Sequence, residues 1–337
     1  MDTNEPEHFP IPAKPRPNGR ETAYPGLCRE PGSVGVRVRP VVMLEKRLRK
    51  IGLLIGVVAS VVCVRAAETT TRAEQLFAED NLVAWCIVPF DAEQRGPRER
   101  VQMLARLGFT QYAWDWREEH LATWPEEISL ARAHGIKLAA VWLWIEEGKD
   151  EPGRLSAGNL TVINAINEAG LAVDYWIGFH ENYFANLDHD ERVAKGAAMV
   201  AHLNTLAADS DSTVSLYNHG GWFGESENQL EIIERVNDPR AGMVYNFHHA
   251  HHEIEQWPEN LARMLPYLRA VNLNGMKPAG PKIVPLGQGT HELDMLRVLL
   301  ESGYDGPVGI LGHVDTADVE TILRQNLDGL KVLTGRL

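Results

Sequence analysis

Between residues 81 and 330, short apolar runs alternate with amphipathic stretches eight times, and few folds accommodate that rhythm. The apolar runs are NLVAWCIVPF (81–90), FTQYAWDW (109–116), IKLAAVWLWI (136–145), LAVDYWIGFH (171–180), STVSLYNHGG (212–221, strand and loop), AGMVYNFHH (241–249), RAVNLNG (269–275) and GPVGILGHV (306–314). Helical spacing follows each of them, over 96–108, 123–135, 159–170, 189–207, 225–237, 257–268, 292–303 and 318–330. In the first of these Val101, Leu104 and Leu107 share one face and Gly108 ends it; in the second Pro125 sits in the first turn and Gly135 closes the last. Buried strands alternating with helices imply a parallel sheet, and eight such units imply a closed α/β barrel, the (β/α)8 or TIM barrel. The alternative is an open doubly wound sheet, but no Gly-rich phosphate loop follows the first strand.

The chain ahead of the barrel reads differently. Residues 1–42 are rich in Pro, Gly and Arg without apolar period, as in a disordered extension, and the order of segments after them points to Met43 as the true start. MLEKRLRK (43–50), the apolar run IGLLIGVVASVVCV (51–64) and RAAE (65–68) have the order of a signal peptide, with Val64 and Ala66 at the small-residue positions. The same run, left uncleaved, would anchor the chain in a membrane, although it is shorter than the roughly 20 residues a span needs. Of the three cysteines, Cys28 and Cys63 precede the cut, so the mature chain has no intrachain disulfide; Cys86, in an apolar strand, reads as a core residue.

Charge narrows the partners. Residues 1–66 carry 11 Lys and Arg against 6 Asp and Glu, and the rest 22 against 40, so the formal −13 of the chain divides into +5 and −18. A body this acidic repels phosphate backbones, which argues against nucleic acid and suits a small ligand.

Barrels of this kind do their chemistry where strands run into the following loops. Polar residues collect there: Asp115, Arg117 and Glu118 after the second strand; Trp144 and Glu146 after the third; His180, Glu181 and Asn182 after the fourth; Tyr217, Asn218 and His219 after the fifth. The sixth delivers Asn246, His248, His249, His251 and His252, the seventh Asn272, Asn274 and Lys277, the eighth His313 and Asp315. Strand alternation places His248 on the inward face with Asn246 and turns His249 away, and His251 and His252 fall in a solvated loop.

On VSLYNHGGW (214–222), VYNFHHAHH (244–252), VNLNGM (271–276) and GYDGPVGILGH (303–313), the region 81–332 resembles the xylose-isomerase-like TIM barrels, the sugar phosphate isomerase/epimerase superfamily that includes endonuclease-IV-type enzymes. The resemblance implies a divalent metal (Zn, Mn, Co or Mg) held by Glu, Asp, His and Glu from the fifth to eighth strands, with two Glu residues moving a proton between neighbouring carbons. Tyr217, Asn246, Asn272 and Leu311 occupy the matching positions here, so every usual ligand is replaced. His180, His219, His248 and His313, with His249 as alternate, are the candidate replacement ligands; Glu181, with His180, His219 and Lys277, is the candidate catalytic set. Trp116, Trp144, Tyr217, Asn218, Trp222, Asn246, Asn272 and Asn274 are the candidate substrate contacts.

Two expectations follow: an exported sugar or polyol isomerase, epimerase or lyase with an altered, His- and Asn-rich site, or a carbohydrate-binding barrel that has lost the metal and the chemistry. Both take a small neutral or acidic sugar or polyol. An endonuclease fits neither the charge nor the missing carboxylates.

Overall fold

A computed structural model describes residues 72–337. The extension over 1–42 and the apolar segment over 43–66 lie outside the described residues. Among those described, no helix is long and apolar enough to cross a membrane.

Eight parallel strands close into one barrel in sequence order: β1 Leu82–Trp85, β2 Gln111–Trp114, β3 Lys137–Ile145, β4 Asp174–Phe179, β5 Thr213–Tyr217, β6 Ala241–Asn246, β7 Leu268–Leu273 and β8 Val308–Leu311. β8 returns to β1 with Leu82 opposite Val308 and Trp85 opposite Leu311. A main helix follows each strand, with a further single turn at Gly221–Gly224 ahead of the fifth: α1 Pro97–Leu107, α2 Trp124–Ala133, α3 Ala157–Ala169, α4 His189–Ala207, α5 Ser226–Val236, α6 Trp257–Met264, α7 Glu292–Ser302 and α8 Val319–Thr334. The ends are written in the sequence: Ser156 and Asp188 accept first-turn amides of α3 and α4, and left-handed Gly108, Gly170 and Gly303 stop α1, α3 and α7.

Apolar side chains fill two layers. Between strands and helices lies a continuous core that includes Val101, Leu104, Leu143, Ile177, Leu216, Leu273 and Leu323. Inside the barrel, alternate positions carry Val83 and Trp85 from β1, Trp142 from β3, Trp176 from β4, Tyr217 from β5, Val244 from β6 and Leu311 from β8. The three indoles and the phenol form a plug: Trp85 meets Trp176 edge to face with centroids 4.9 Å apart, and Trp142 meets Tyr217 at 5.1 Å. So much ring fits because β4 offers glycine beside it; a Cβ on Gly178 would stand 2.5 Å from Trp142 and 2.9 Å from Trp144.

Several strands end earlier than their apolar runs. β1 stops at Trp85 because Cys86 is left-handed, with φ of 56°. β6 stops at Asn246, whose side chain accepts from the amide of His248 at 3.1 Å and winds Phe247–His249 into a 3-10 turn. Cys86 is a buried free thiol, as expected of a core residue.

Candidate functional site

The plug closes the barrel from below, and the strand C-termini open above it into a cavity of about 460 Å3, within the ~300–1,000 Å3 usual for small-molecule sites. Trp116 and Trp144 wall it, with Phe90; His219, His248, His249 and His313 line it, together with Asp115, Arg117 and Glu118. The indole N–H of Trp116 is tied to the carbonyl of Trp142 at 2.7 Å, which fixes that wall.

Four imidazoles run across the mouth. Ring centroids are 4.7 Å apart for His219 and His249, 3.9 Å for His249 and His248, and 5.1 Å for His248 and His313. The turn at 247–249 brings His249 inward beside His248, contrary to strand alternation, because a 3-10 turn no longer sends neighbours to opposite faces. Desolvation lowers all four rings, with Lys282 adding to the penalty on charging each: His219, exposed at the edge of the mouth, and His313 fall to about 4, and the more buried His248 and His249 fall further. His248 is 2% exposed, and neither of its ring nitrogens has a hydrogen-bond partner; Nδ1 of His313 is also buried without one.

Below the imidazoles, the positions that the resemblance assigned to metal ligands hold a neutral cluster. The hydroxyl of Tyr217 accepts from the indole N–H of Trp85 at 2.9 Å and from the side-chain amide of Asn246. Asn272 pairs with Asn246 in register, its amide unpartnered, and fits only because Gly309 opposite has no side chain; Leu311 is apolar. These residues do not fit a divalent ion: none is a carboxylate, all are buried, and an indole stands among them. Nor do the imidazoles form a ready three-ligand set. Among the described residues the only three metal-capable side chains with ligand atoms within 4.8 Å of one another are Glu225, His252 and Glu253, on the outer surface.

Other candidates fall elsewhere. His180 stands at the rim, 6.2 Å from Trp144 between ring centroids, where its Nδ1 accepts the amide of Asn182; it does not join the other four. Glu181 is exposed in the turn after β4, and neither it nor Lys277 lines the cavity. Asn218 is spent on the Asn246 backbone, its Oδ1 accepting at 2.7 Å. Asn274 and His251 hold the loop after β7 through the carbonyl of Lys282, at 3.1 and 3.0 Å, so His251 is structural rather than solvated. Trp222 packs on Phe184 and under Arg192, outside the mouth. His252 is exposed beside Glu225.

Asp115 was visible only as one more polar residue at a strand end. It is 2% exposed and lines the cavity, and its Oδ1 accepts the amides of Ile87 and Val88 at 3.3 and 3.2 Å. Burial raises its carboxyl to about 7, against the opposing pull of Arg117. The signal that could have found it is DW at a strand C-terminus: an acid followed by a wall aromatic.

The sequence profile of the xylose isomerase-like TIM barrel matches residues 68–333. No curated protein matches the sequence. Solved structures share the fold at low identity. The IolI protein with a bound zinc atom is 14% identical with a TM-score of 0.59, over 76% of this chain and 98% of its own. D-allulose 3-epimerase from Methylomonas sp. is also 14% identical, TM-score 0.59, over 75% and 98%. 3-Keto-D-glucoside 4-epimerase from E. coli is 14% identical, TM-score 0.57, over 76% and 99%.

Proposed function

Because this chain belongs to the xylose isomerase-like TIM barrel family, we propose that its mouth binds a small sugar or polyol, neutral or acidic, and transforms it by isomerase- or epimerase-like proton transfer. The observation that carries this is His248, buried with both ring nitrogens unpartnered above a cavity walled by two indoles. An unsatisfied buried polar group costs about 1–3 kcal/mol, which a bound ligand relieves. A ring of hydroxyls supplies donors and acceptors that neutral imidazoles can match in either tautomer, and its C–H faces suit Trp116 and Trp144.

The positions that the family resemblance assigns to metal-holding side chains carry Tyr217, Asn246, Asn272 and Leu311 in this chain, so the proton transfer falls to its own side chains. Imidazole nitrogens would favour Zn or Co over Mn or Mg if the four rings closed on an ion. Export or anchorage through residues 43–66 belongs to the same reading, since an exported barrel meets unphosphorylated sugars, and an acidic body leaves nucleic acid without a place. A binding-only barrel is the second reading, favoured by the exposed position of Glu181, away from the cavity.

The test is titration calorimetry of untagged protein with D-xylose, D-glucose, D-fructose, xylitol and D-glucuronate, with elemental analysis of the same sample. Saturable binding that is lost in a His248→Ala, His313→Ala variant supports the reading. No heat from any of the panel sinks it. About one equivalent of transition metal, lost in that variant, overturns the metal-free part.

A further inference from the structure

We propose that Asp115 is the acid–base residue of the mouth, with Oδ2 the atom that carries the proton. This rests on the sugar-binding reading above and assigns the chemistry to a group outside the family's usual positions.

The placement of the carboxyl is unusual. Its two oxygens are treated differently: Oδ1 is held by two backbone amides, while Oδ2 is buried without any partner beside the cavity. The amides are presented by a strained piece of chain, since Cys86 just before them adopts φ of 56°, a left-handed conformation that is costly for a non-glycine residue and gathers at functional sites. The loop is then braced from outside. Arg100 of α1 donates to the carbonyl of Ile87 at 3.1 Å and pairs with Glu127 of α2 at 3.2 Å, and Glu127 accepts the hydroxyl of Tyr112 at 3.0 Å. A fully buried ion pair serves here to fix the backbone that grips one oxygen and leaves the other free.

The charged and titratable groups facing the carboxyl are Arg117 on its own loop, Arg100 from α1 and Cys86 from the end of β1. Burial outweighs the two guanidinium groups, so the carboxyl exchanges its proton near neutrality, where a general base works best. The four imidazoles are held neutral and are weak bases there. Of the other carboxyls lining the mouth, Glu146 is paired with Lys149 at 2.9 Å, both oxygens of Asp150 accept hydrogen bonds and Glu118 is exposed, so among these carboxyls Asp115 alone keeps a buried, unpartnered oxygen.

In a proton shift between an aldose and a ketose, the simplest transfer within the proposed reading, Oδ2 takes the proton from the hydroxyl-bearing carbon next to the aldehyde. The C–H pair becomes the C=C bond, and the carbonyl π pair moves to oxygen. The hydroxyl proton passes to that oxygen within the enediolate, whose charge the imidazole N–H groups bind. The C–O pair then re-forms a carbonyl at the second carbon, and the C=C pair takes the proton from Oδ2 onto the first. No oxidant or co-reactant is consumed.

The experiment follows C–H exchange by proton NMR for the full chain in D2O with D-xylose, D-glucose and D-glucuronate, alongside calorimetric binding, for wild type, Asp115→Asn and Asp115→Glu. Wild type is expected to incorporate deuterium beside the carbonyl, with a rate that rises through pH about 7. Asp115→Asn is expected to bind within threefold and lose about 10²–10⁴-fold in exchange. Asp115→Glu is expected to recover part of it with a displaced pH profile. Exchange by Asp115→Asn at the wild-type rate overturns the assignment, as does wild-type binding without exchange, which leaves the binding reading standing. Absence of binding by wild type overturns both.

Discussion

The imidazoles of His248 and His313 meet at 77° with centroids 5.1 Å apart, reaching across β7, and no hydrogen bond joins them. The two rings are close enough to act on one ligand and are left free to do so. A buried polar group kept unpartnered is a stability cost retained for function. His248→Leu removes both orphaned nitrogens while filling similar volume. It is expected to raise the free energy of unfolding by about 1 kcal/mol and to weaken sugar binding tenfold or more. Urea titration and calorimetry check both, and a loss of stability would show that the ring is structural.

Acid should loosen the fold in a defined window. Unfolded, imidazoles take up protons below about 6.5; folded, His219 and His313 wait until about 4 and His248 and His249 longer. The unfolded chain then binds more protons, so the stability these rings contribute is complete above pH 6.5 and drains as pH falls toward 4. His219, open to solvent along one edge, contributes least. Asp115 has the opposite sign: its carboxyl, raised to about 7, contributes most below the ordinary carboxylate range and loses that contribution as pH rises through 7. His248→Leu is therefore expected to flatten the fall between pH 6.5 and 4.5, and Asp115→Asn to steepen it, measured as urea midpoints across that range.

The buried pair of Arg100 and Glu127 should be costly to break from one side. Glu127→Gln leaves a guanidinium buried without its counter-charge, and a loss of about 3–5 kcal/mol is expected. The loop at Ile87 should slacken with it, so that sugar exchange falls even at temperatures where the variant is folded. Thermal melts and the exchange assay separate the two effects.

Gly178→Ala tests the wall. The added methyl would press on Trp142 at 2.5 Å and Trp144 at 2.9 Å, with backbone behind it on β4. About 1–3 kcal/mol of destabilisation is expected, with a shifted tryptophan emission and weaker binding as Trp144 is displaced. Unchanged emission and affinity would mean that Trp144 does not wall the ligand site.

The barrel was legible because its signals are local and repeated. Each helix from α1 to α8 falls within a few residues of an amphipathic stretch closed by glycine or opened by a cap, and the strand order follows once parallel pairing is assumed. The mouth was legible only as a set of strand ends. Alternation places Asn246, Tyr217 and His248 correctly but fails at His249, where the Asn246 side chain caps the turn and carries that ring inward. His180 and Asp115 each follow a strand, yet one is exposed enough to cap a turn and the other is buried against the β1 loop at the cavity wall. That difference depends on a left-handed Cys86 and on Arg100, some 14 residues further along, and neither leaves a mark at position 115. The plug was equally hidden, because Trp85, Trp142 and Trp176 meet only when strands far apart in sequence close the barrel.

That plug makes the molecule its own optical instrument. Trp85, Trp142 and Trp176 lie in fixed asymmetric contact under the cavity, with Tyr217 among them and Trp144 continuing the stack from Trp142 into the wall. Coupled indoles in one handed arrangement give a strong near-ultraviolet circular dichroism band, and a ligand resting on Trp144 perturbs the array from above. Occupancy of the mouth can be followed with no label and no knowledge of the reaction.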